Sequence, residues 1–326
     1  VGINYRPTDD GPHIYEDCAN RAEIGFVTTD NAFKVLPSFT GGILGYTEHP
    51  VEVRNCEGAA YINVNNANAK ENGIFTATGG IVGAVKGTAA LIEKCHVTAD
   101  MRHYQYNNTW DDPLSAANGG GIVGCALGAD EVNRIAITGC SCSGMVESKR
   151  SGAAGIVGYA RFSDISDCGF TGGIEGSGPH FAGGIAGTLA NSTIAGCTVK
   201  AKNIYGHNAS SPSLIGVSGI AAYVVGVSSV SDCKAYATLI RNSTVLGTED
   251  ASVTPDNLFG MGMIVGIDAG TTTVTNCGVG GSFYLGASEK PQELILTLDA
   301  DSYAKGIIGT GKSATGGSCC CWKGEE

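Results

Sequence analysis

The chain has 326 residues, 43% of them hydrophobic and 16% charged, with 50 glycines, 9 prolines and 13 cysteines. This composition is too apolar for a disordered chain and suits many short strands joined by tight turns. The 20 Lys and Arg residues against 31 Asp and Glu residues give a net charge of −11. That charge disfavours nucleic acid and anionic membrane surfaces as partners.

No apolar run approaches the roughly 18 residues that cross a bilayer, so we expect no transmembrane segment in this chain. Val1 does not open a signal-peptide pattern. We therefore expect any export signal or lipid anchor to lie upstream of Val1.

A glycine-rich pentapeptide, written most clearly at Gly79-Gly80-Ile81-Val82-Gly83, recurs along the whole chain. All eight copies keep isoleucine at the third position, and a cysteine follows each copy. Cys18 fits the same pattern without a pentapeptide before it. The isoleucines, predicted to fill the core, are Ile43, Ile81, Ile122, Ile156, Ile185, Ile220, Ile264 and Ile307. The cysteines in phase, predicted to form a ladder in that core, are Cys56, Cys95, Cys140, Cys168, Cys197, Cys233 and Cys277, with Cys320 as the last copy.

After each cysteine a period of two begins, with a small residue at position +4 and usually a large apolar residue at position +6. This alternation is typical of a strand with one buried face. Asn203 breaks the pattern, and Ile204 directly after it predicts a one-residue slip. Each repeat therefore holds about three short strands, too short and glycine-rich for a β-α unit.

If each strand lies beside its counterpart in the next repeat, the chain forms a parallel β-helix. The repeat pattern therefore predicts an all-β fold, namely a single-stranded right-handed parallel β-helix of about eight coils. We expect one domain over residues 1–326. Residues 1–17 would form an N-terminal cap region, 18–309 the coils, and 310–326 a C-terminal cap or tail.

The pentapeptide followed by Asn-Cys or Asp-Cys, as at Asn55-Cys56 and Asp167-Cys168, resembles the GLUG-type repeats of secreted and surface proteins of Bacteroides-like bacteria. The resemblance covers about residues 18–321, although Ile stands where the usual motif has Leu. It implies a right-handed β-helix that is extracellular or on the outer surface of a bacterium, with adhesion or glycan contact as its role. It carries no catalytic residues over to this chain.

Stacked cysteines could pair as disulfides or bind a metal. However, parallel in-register side chains point the same way, which fits disulfide geometry poorly. No histidine shares the column to complete a zinc site. We expect small, reduced core residues and neither a metal nor another cofactor, while a redox role stays open for Cys319-Cys320-Cys321.

Catalysis on this scaffold would need paired carboxylates about 5 to 9.5 Å apart for hydrolysis. Asp111-Asp112 and the pair Asp164 and Asp167 lack the companion residues of β-helix hydrolases. We therefore expect a non-enzymatic, adhesin-like protein. A polysaccharide lyase or glycoside hydrolase is the alternative, and a structural spacer is the third hypothesis.

The connection from position +6 to the next repeat isoleucine varies most in length. It is short at 146–156 and 174–185, and long at 101–122, 239–264 and 283–307. Long loops beside short ones predict a saddle, and binding residues gather on loops held by a rigid scaffold. Aromatic rings with polar groups suit glycans or host macromolecules, which predicts a ligand site at Tyr104, Tyr106, Trp110, Asp111, Asp112, Lys149, Arg150, His180, Tyr205 and His207. Alternatively, Tyr104, Tyr106 and Trp110 only hold their loop against the column.

Overall fold

The computed structural model describes residues 3–4, 11–27, 39–66, 76–105, 117–149, 152–175, 181–207, 215–242, 260–286, 293–311 and 319–324. This part of the chain is all-β apart from one 3-10 helix, Tyr303–Gly306. Its strands form several parallel sheets, as the repeat predicted. Among the described strands, only Gly278–Gly286 and Glu293–Leu298 pair antiparallel.

The strands belong to four sheets, and successive repeats add neighbouring strands to each sheet. The first sheet contains Ile3–Asn4, Leu44–Thr47, Val82–Lys86, Val123–Leu127, Val157–Arg161, Ala186–Ala190, Ala221–Val225, Val265–Asp268 and Ile308–Gly311. The second contains His13–Glu16, Val51–Arg54, Ala90–Glu93, Ile135–Thr138, Ser163–Ser166, Thr193–Ala195, Val227–Ser231 and Thr271–Thr275. The third contains Ala19–Asn20, Ile24–Val27, Glu57–Gly58, Ile62–Asn66, His96–Val97, Met101–Gln105, Ser141–Cys142, Met145–Lys149, Gly169–Phe170, Gly173–Glu175, Thr198–His207, Lys234–Asn242, Gly278–Gly286, Glu293–Leu298 and Cys320–Cys321. The fourth contains Phe39–Gly41, Thr76–Gly79, Ala117–Gly120, Gly152–Ala154, Phe181–Gly183, Gly216–Ser218 and Met261–Gly262.

The pentapeptide forms the corner between the fourth and first sheets. A Cβ atom on Gly80 would lie 2.2 Å from the backbone oxygen of Gly121, one repeat further on. Only glycine lets the two backbones approach this closely. Ile81 at the corner is fully buried, and the eight repeat isoleucines are between 0 and 8% exposed.

The corner between the second and third sheets depends on the residue before each ladder cysteine. That residue has a positive φ, between 51° and 65°, in all eight repeats: Asp17, Asn55, Lys94, Gly139, Asp167, Gly196, Asp232 and Asn276. Gly, Asn and Asp tolerate the left-handed region better than other residues. This explains the Asn-Cys and Asp-Cys pairs of the sequence, with Lys94 as the exception. The cysteines from Cys56 to Cys277 that follow are at most 2% exposed and carry free thiols.

Two register details bear on the sequence predictions. The predicted slip at Asn203 is confirmed, because pairing with the neighbouring strand shifts between Ala201 and Ile204. The assignment of Cys320 to the ladder was wrong by one residue, because Cys320 pairs with Gly278 and so places Cys319 beside Cys277. Three consecutive cysteines in the tail gave the sequence pattern no means of fixing that register.

A second hydrophobic cluster, missed from the sequence, lies between the fourth and first sheets outside the main core. It contains Ala77, Ala84, Cys125, Leu127, Tyr159 and Ala190. The stacked rings of Phe39 and Tyr46, 4.4 Å apart between centroids, pack against this cluster. The rings of Phe181 and Tyr223 form a second stacked pair between the same two sheets, 4.6 Å apart between centroids. The sharp corner at the pentapeptide glycines allows side chains on the outer faces of the fourth and first sheets to contact each other. The two-residue alternation of the sequence does not predict such contacts between sheets.

Several elements cover the C-terminal end of the third sheet. Glu293–Leu298 pairs antiparallel with Gly278–Gly286, and Cys320–Cys321 pairs parallel with the start of that strand. Trp322 follows and is 8% exposed. Its ring makes an edge contact with Tyr236, so the tail is packed against the sheet.

Candidate functional site

Four of the ten predicted ligand residues lie on strands of the third sheet that lead to its corner with the fourth sheet. Tyr104, Tyr205 and His207 are described in full, and Lys149 only in its backbone. The remaining six lie outside the described residues: Tyr106, Trp110, Asp111, Asp112, Arg150 and His180. The site can therefore be built from the strand ends that enter this corner.

The strand Met101–Gln105 alternates between the core and the outer face of the third sheet. Met101 and His103 are buried, whereas Arg102 and Tyr104 are partly exposed. Met101 pairs with Val146 in the next repeat, and Tyr104 pairs with Lys149. The structure thus brings two of the predicted residues, Tyr104 and Lys149, onto neighbouring strands.

Glu147 joins the polar groups on this outer face. The Arg102 Nε atom donates a hydrogen bond of 2.7 Å to Glu147 Oε2, and the Tyr104 hydroxyl donates to Glu147 Oε1. The Arg102 guanidinium also lies 5.1 Å from the centre of the Tyr104 ring. Burial, followed by the bond to Glu147, raises the pKa of Tyr104 to about 12. Burial likewise raises the pKa of Tyr61, while the charge of Arg102 lowers it and the charge of Glu147 raises it.

Tyr205 and His207 extend the same face further along the column. The register shift in Thr198–His207 places Ile204 beside Ile174 in the core, so that Tyr205 points outward. The rings of Tyr205 and His207 are 6.3 Å apart between centroids. Burial lowers the pKa of His207, and its buried Nε2 atom has no hydrogen-bond partner among the described residues.

Arg102 and Glu147 were not among the predicted ligand residues, although the sequence contains a signal that places both on this outer face. Each stands seven residues after its ladder cysteine, Cys95 or Cys140. Asn63 and Glu175 also stand seven residues after their ladder cysteines. Tyr205 stands eight residues after Cys197, because the register shift before Ile204 adds one residue. Register pairs join Asn63, Arg102, Glu147 and Glu175 in sequence, so a constant offset from the cysteine marks one outward row.

His103 lies on the opposite face of the same strand and is fully buried. Its Nδ1 atom is 2.7 Å from the Thr78 Oγ1 atom of the fourth sheet. Its Nε2 atom is buried without a hydrogen-bond partner among the described residues. Burial lowers the pKa of His103 to about 4, so the ring is neutral at pH 7 and belongs to the core.

Comparison with protein-family models, with curated proteins and with solved structures finds no match for this chain. Within the described ranges, no group of three or more His, Cys, Asp or Glu side chains is arranged to hold a metal ion. None of the described segments forms a helix with the length and hydrophobicity needed to cross a bilayer.

Proposed function

We propose that the parallel sheets close into one right-handed parallel β-helix of about eight coils, which presents a glycan-binding corner without catalysing a reaction. The closed helix is supported by the order of the strands, because each repeat visits the four sheets in turn and pairs with the next repeat. Right-handed winding is the usual hand of parallel crossovers.

The observation that carries the binding role is the outward row of the third sheet at the loop-bearing corner. The row combines a cation, two carboxylates and a tyrosine ring at Arg102, Glu147, Glu175 and Tyr205, and Tyr104 lies beside it and bonds to Glu147. Aromatic faces stack on sugar rings, and charged or polar groups bond to hydroxyls. Strands about 4.8 Å apart space these groups along the column, which suits an extended chain of sugars. A location outside a bacterium or on its outer cell surface, with glycans or host surface macromolecules as partners, accords with this role.

A glycan microarray probed with the intact protein tests the proposal. Tyr205→Ala should weaken binding about tenfold, which corresponds to the roughly 1.4 kcal/mol of one lost aromatic contact. Tyr236→Ala is the matched control, because Tyr236 is a 42% exposed tyrosine of the same sheet outside this corner. Absence of glycan binding by the intact protein, or equal losses in both variants, would contradict the proposal.

A glycoside hydrolase is the second candidate, because Glu147 and Glu175 pair in register on neighbouring strands. Their strands lie about 4.8 Å apart, so the two side chains are near enough for the carboxyl separations of about 5 to 9.5 Å found in glycosidases. Release of reducing sugar by the intact protein, lost in both Glu147→Gln and Glu175→Gln, would favour hydrolysis. Binding without release would leave the adhesin-like function.

A further inference from the structure

Eight cysteines form one column at the corner between the second and third sheets, namely Cys18, Cys56, Cys95, Cys140, Cys168, Cys197, Cys233 and Cys277. Backbone hydrogen bonds tie each to the next repeat, as where His96 N donates to Cys56 O at 2.9 Å. Successive cysteines therefore lie on neighbouring parallel strands, about 4.8 Å apart.

All eight side chains adopt the same orientation. Each sulfur donates a hydrogen bond of 3.1 to 3.5 Å to the carbonyl two residues before its own cysteine. Because the orientation repeats, the distance between successive sulfurs follows the strand spacing. The Cys168 N–H also donates to the sulfur of Cys197 at 3.4 Å, so neighbouring cysteines are in direct contact.

We propose that neighbouring cysteines of this column bind a soft, two-coordinate cation of the mercuric type between their sulfurs. A thiolate–metal bond of about 2.3 Å, taken twice in line, spans about 4.6 Å, close to the strand spacing. Thiolates favour soft cations. A tetrahedral zinc site is not supported, because the described residues provide no group of three or more ligands.

The charge balance also favours a divalent ion. Two neutral thiols each lose one proton to solvent and form two sulfur–metal bonds with one dication, so the product is neutral. A neutral product can remain in an apolar core, where an unpaired charge would be costly. Each bound ion releases two protons, so binding should strengthen as pH rises.

The two ends of the column are the points of entry. Cys18 is partly exposed and contacts Cys56, and the partly exposed Cys319 stands beside Cys277. The cysteines between these end pairs are at most 2% exposed. The end pairs should therefore bind first in the folded protein.

Mercuric chloride titrated into the reduced, folded protein tests the proposal independently of any glycan binding. The protein should carry Cys320→Ser and Cys321→Ser, because both of these thiols are accessible from solvent and lie off the column. We expect two ions to bind rapidly, with two protons released per ion. X-ray absorption should find two sulfurs per ion at about 2.3 Å.

Adding Cys18→Ala should remove one of these two rapid two-sulfur sites and leave the other. Cys142→Ala is the matched control, because Cys142 is a buried thiol whose register neighbours are Val97 and Phe170. This control should retain both sites. Circular dichroism before and after titration establishes that each variant is folded. One sulfur per ion, reaction only after unfolding, or an unchanged count in Cys18→Ala would overturn the proposal.

Discussion

Replacing His103 by leucine should remove a specific part of the acid sensitivity of the fold. His103 is fully buried, bonds only to Thr78 among the described residues, and has a pKa lowered by burial to about 4 from the ordinary 6.5. The unfolded chain therefore binds a proton at a higher pH than the folded chain. The stabilisation from a neutral His103 is complete above about pH 6.5 and is lost as the pH falls towards 4.

The size of this effect follows from the difference between the two pKa values. At 1.36 kcal/mol for each pH unit, the full difference corresponds to about 3 kcal/mol, and lowering the pH from 7 to 4.5 removes roughly 2 to 3 kcal/mol. Carboxylates also contribute over this range. For this reason the relevant quantity is the difference between the intact protein and His103→Leu at each pH.

Urea unfolding at pH 7 and pH 4.5 measures that difference. His103→Leu should lose less of its free energy of unfolding between the two pH values than the intact protein does. Thr78→Val is the control, because it removes the hydroxyl partner but keeps the imidazole, and so should keep the pH dependence. Equal pH dependence in the intact protein and His103→Leu would refute the reasoning.

Three substitutions test the corners and the core by the free energy of unfolding. Gly121→Ala should prevent folding, because its Cβ would lie 2.1 Å from the backbone oxygen of Gly155, whereas Gly25→Ala meets no atom within 4 Å and should fold; equal behaviour of the two would contradict the close-approach argument. Lys94→Asn should stabilise by roughly 1 kcal/mol, because Lys94 has a φ of 51°, and no gain in urea unfolding would count against this reading. Ile156→Ala at a fully buried repeat position should cost about 2 to 5 kcal/mol, and a loss below about 1 kcal/mol would show that the position is not tightly packed.

The sequence predicted an all-β fold of parallel strands because three independent patterns coincide in each repeat, although it predicted about three strands per repeat and the strands belong to four sheets. The pentapeptide predicted a corner, the cysteine fixed the phase, and the two-residue alternation predicted strands. The register shift at Ile204 was also readable, because a polar residue stood where a large apolar residue was due. The register of the tail could not be predicted, because Cys319, Cys320 and Cys321 fit the cysteine position of the repeat equally well.

The candidate site was only partly predictable, for a different physical reason. Tyr104 was singled out because aromatic residues cluster in that segment of the sequence. Successive side chains of a strand point to opposite faces, which separates His103 from the outer face. The bonds of Arg102 and Tyr104 to Glu147 join residues at least 43 positions apart. Such contacts follow from register and are invisible to a search for local clusters.

Register also changes where a function should be sought on a repeat protein. Most inward positions are held to small or apolar residues by packing, with His103 and Arg241 as buried polar exceptions. The outward row seven residues after the cysteines has no such constraint, and its members change from Asn63 to Arg102, Glu147 and Glu175. This row therefore provides an ordered set of different polar groups on one face of a rigid sheet. A ligand that spans several repeats can contact these groups at the same time. This row is therefore a stronger candidate for ligand recognition than any single loop.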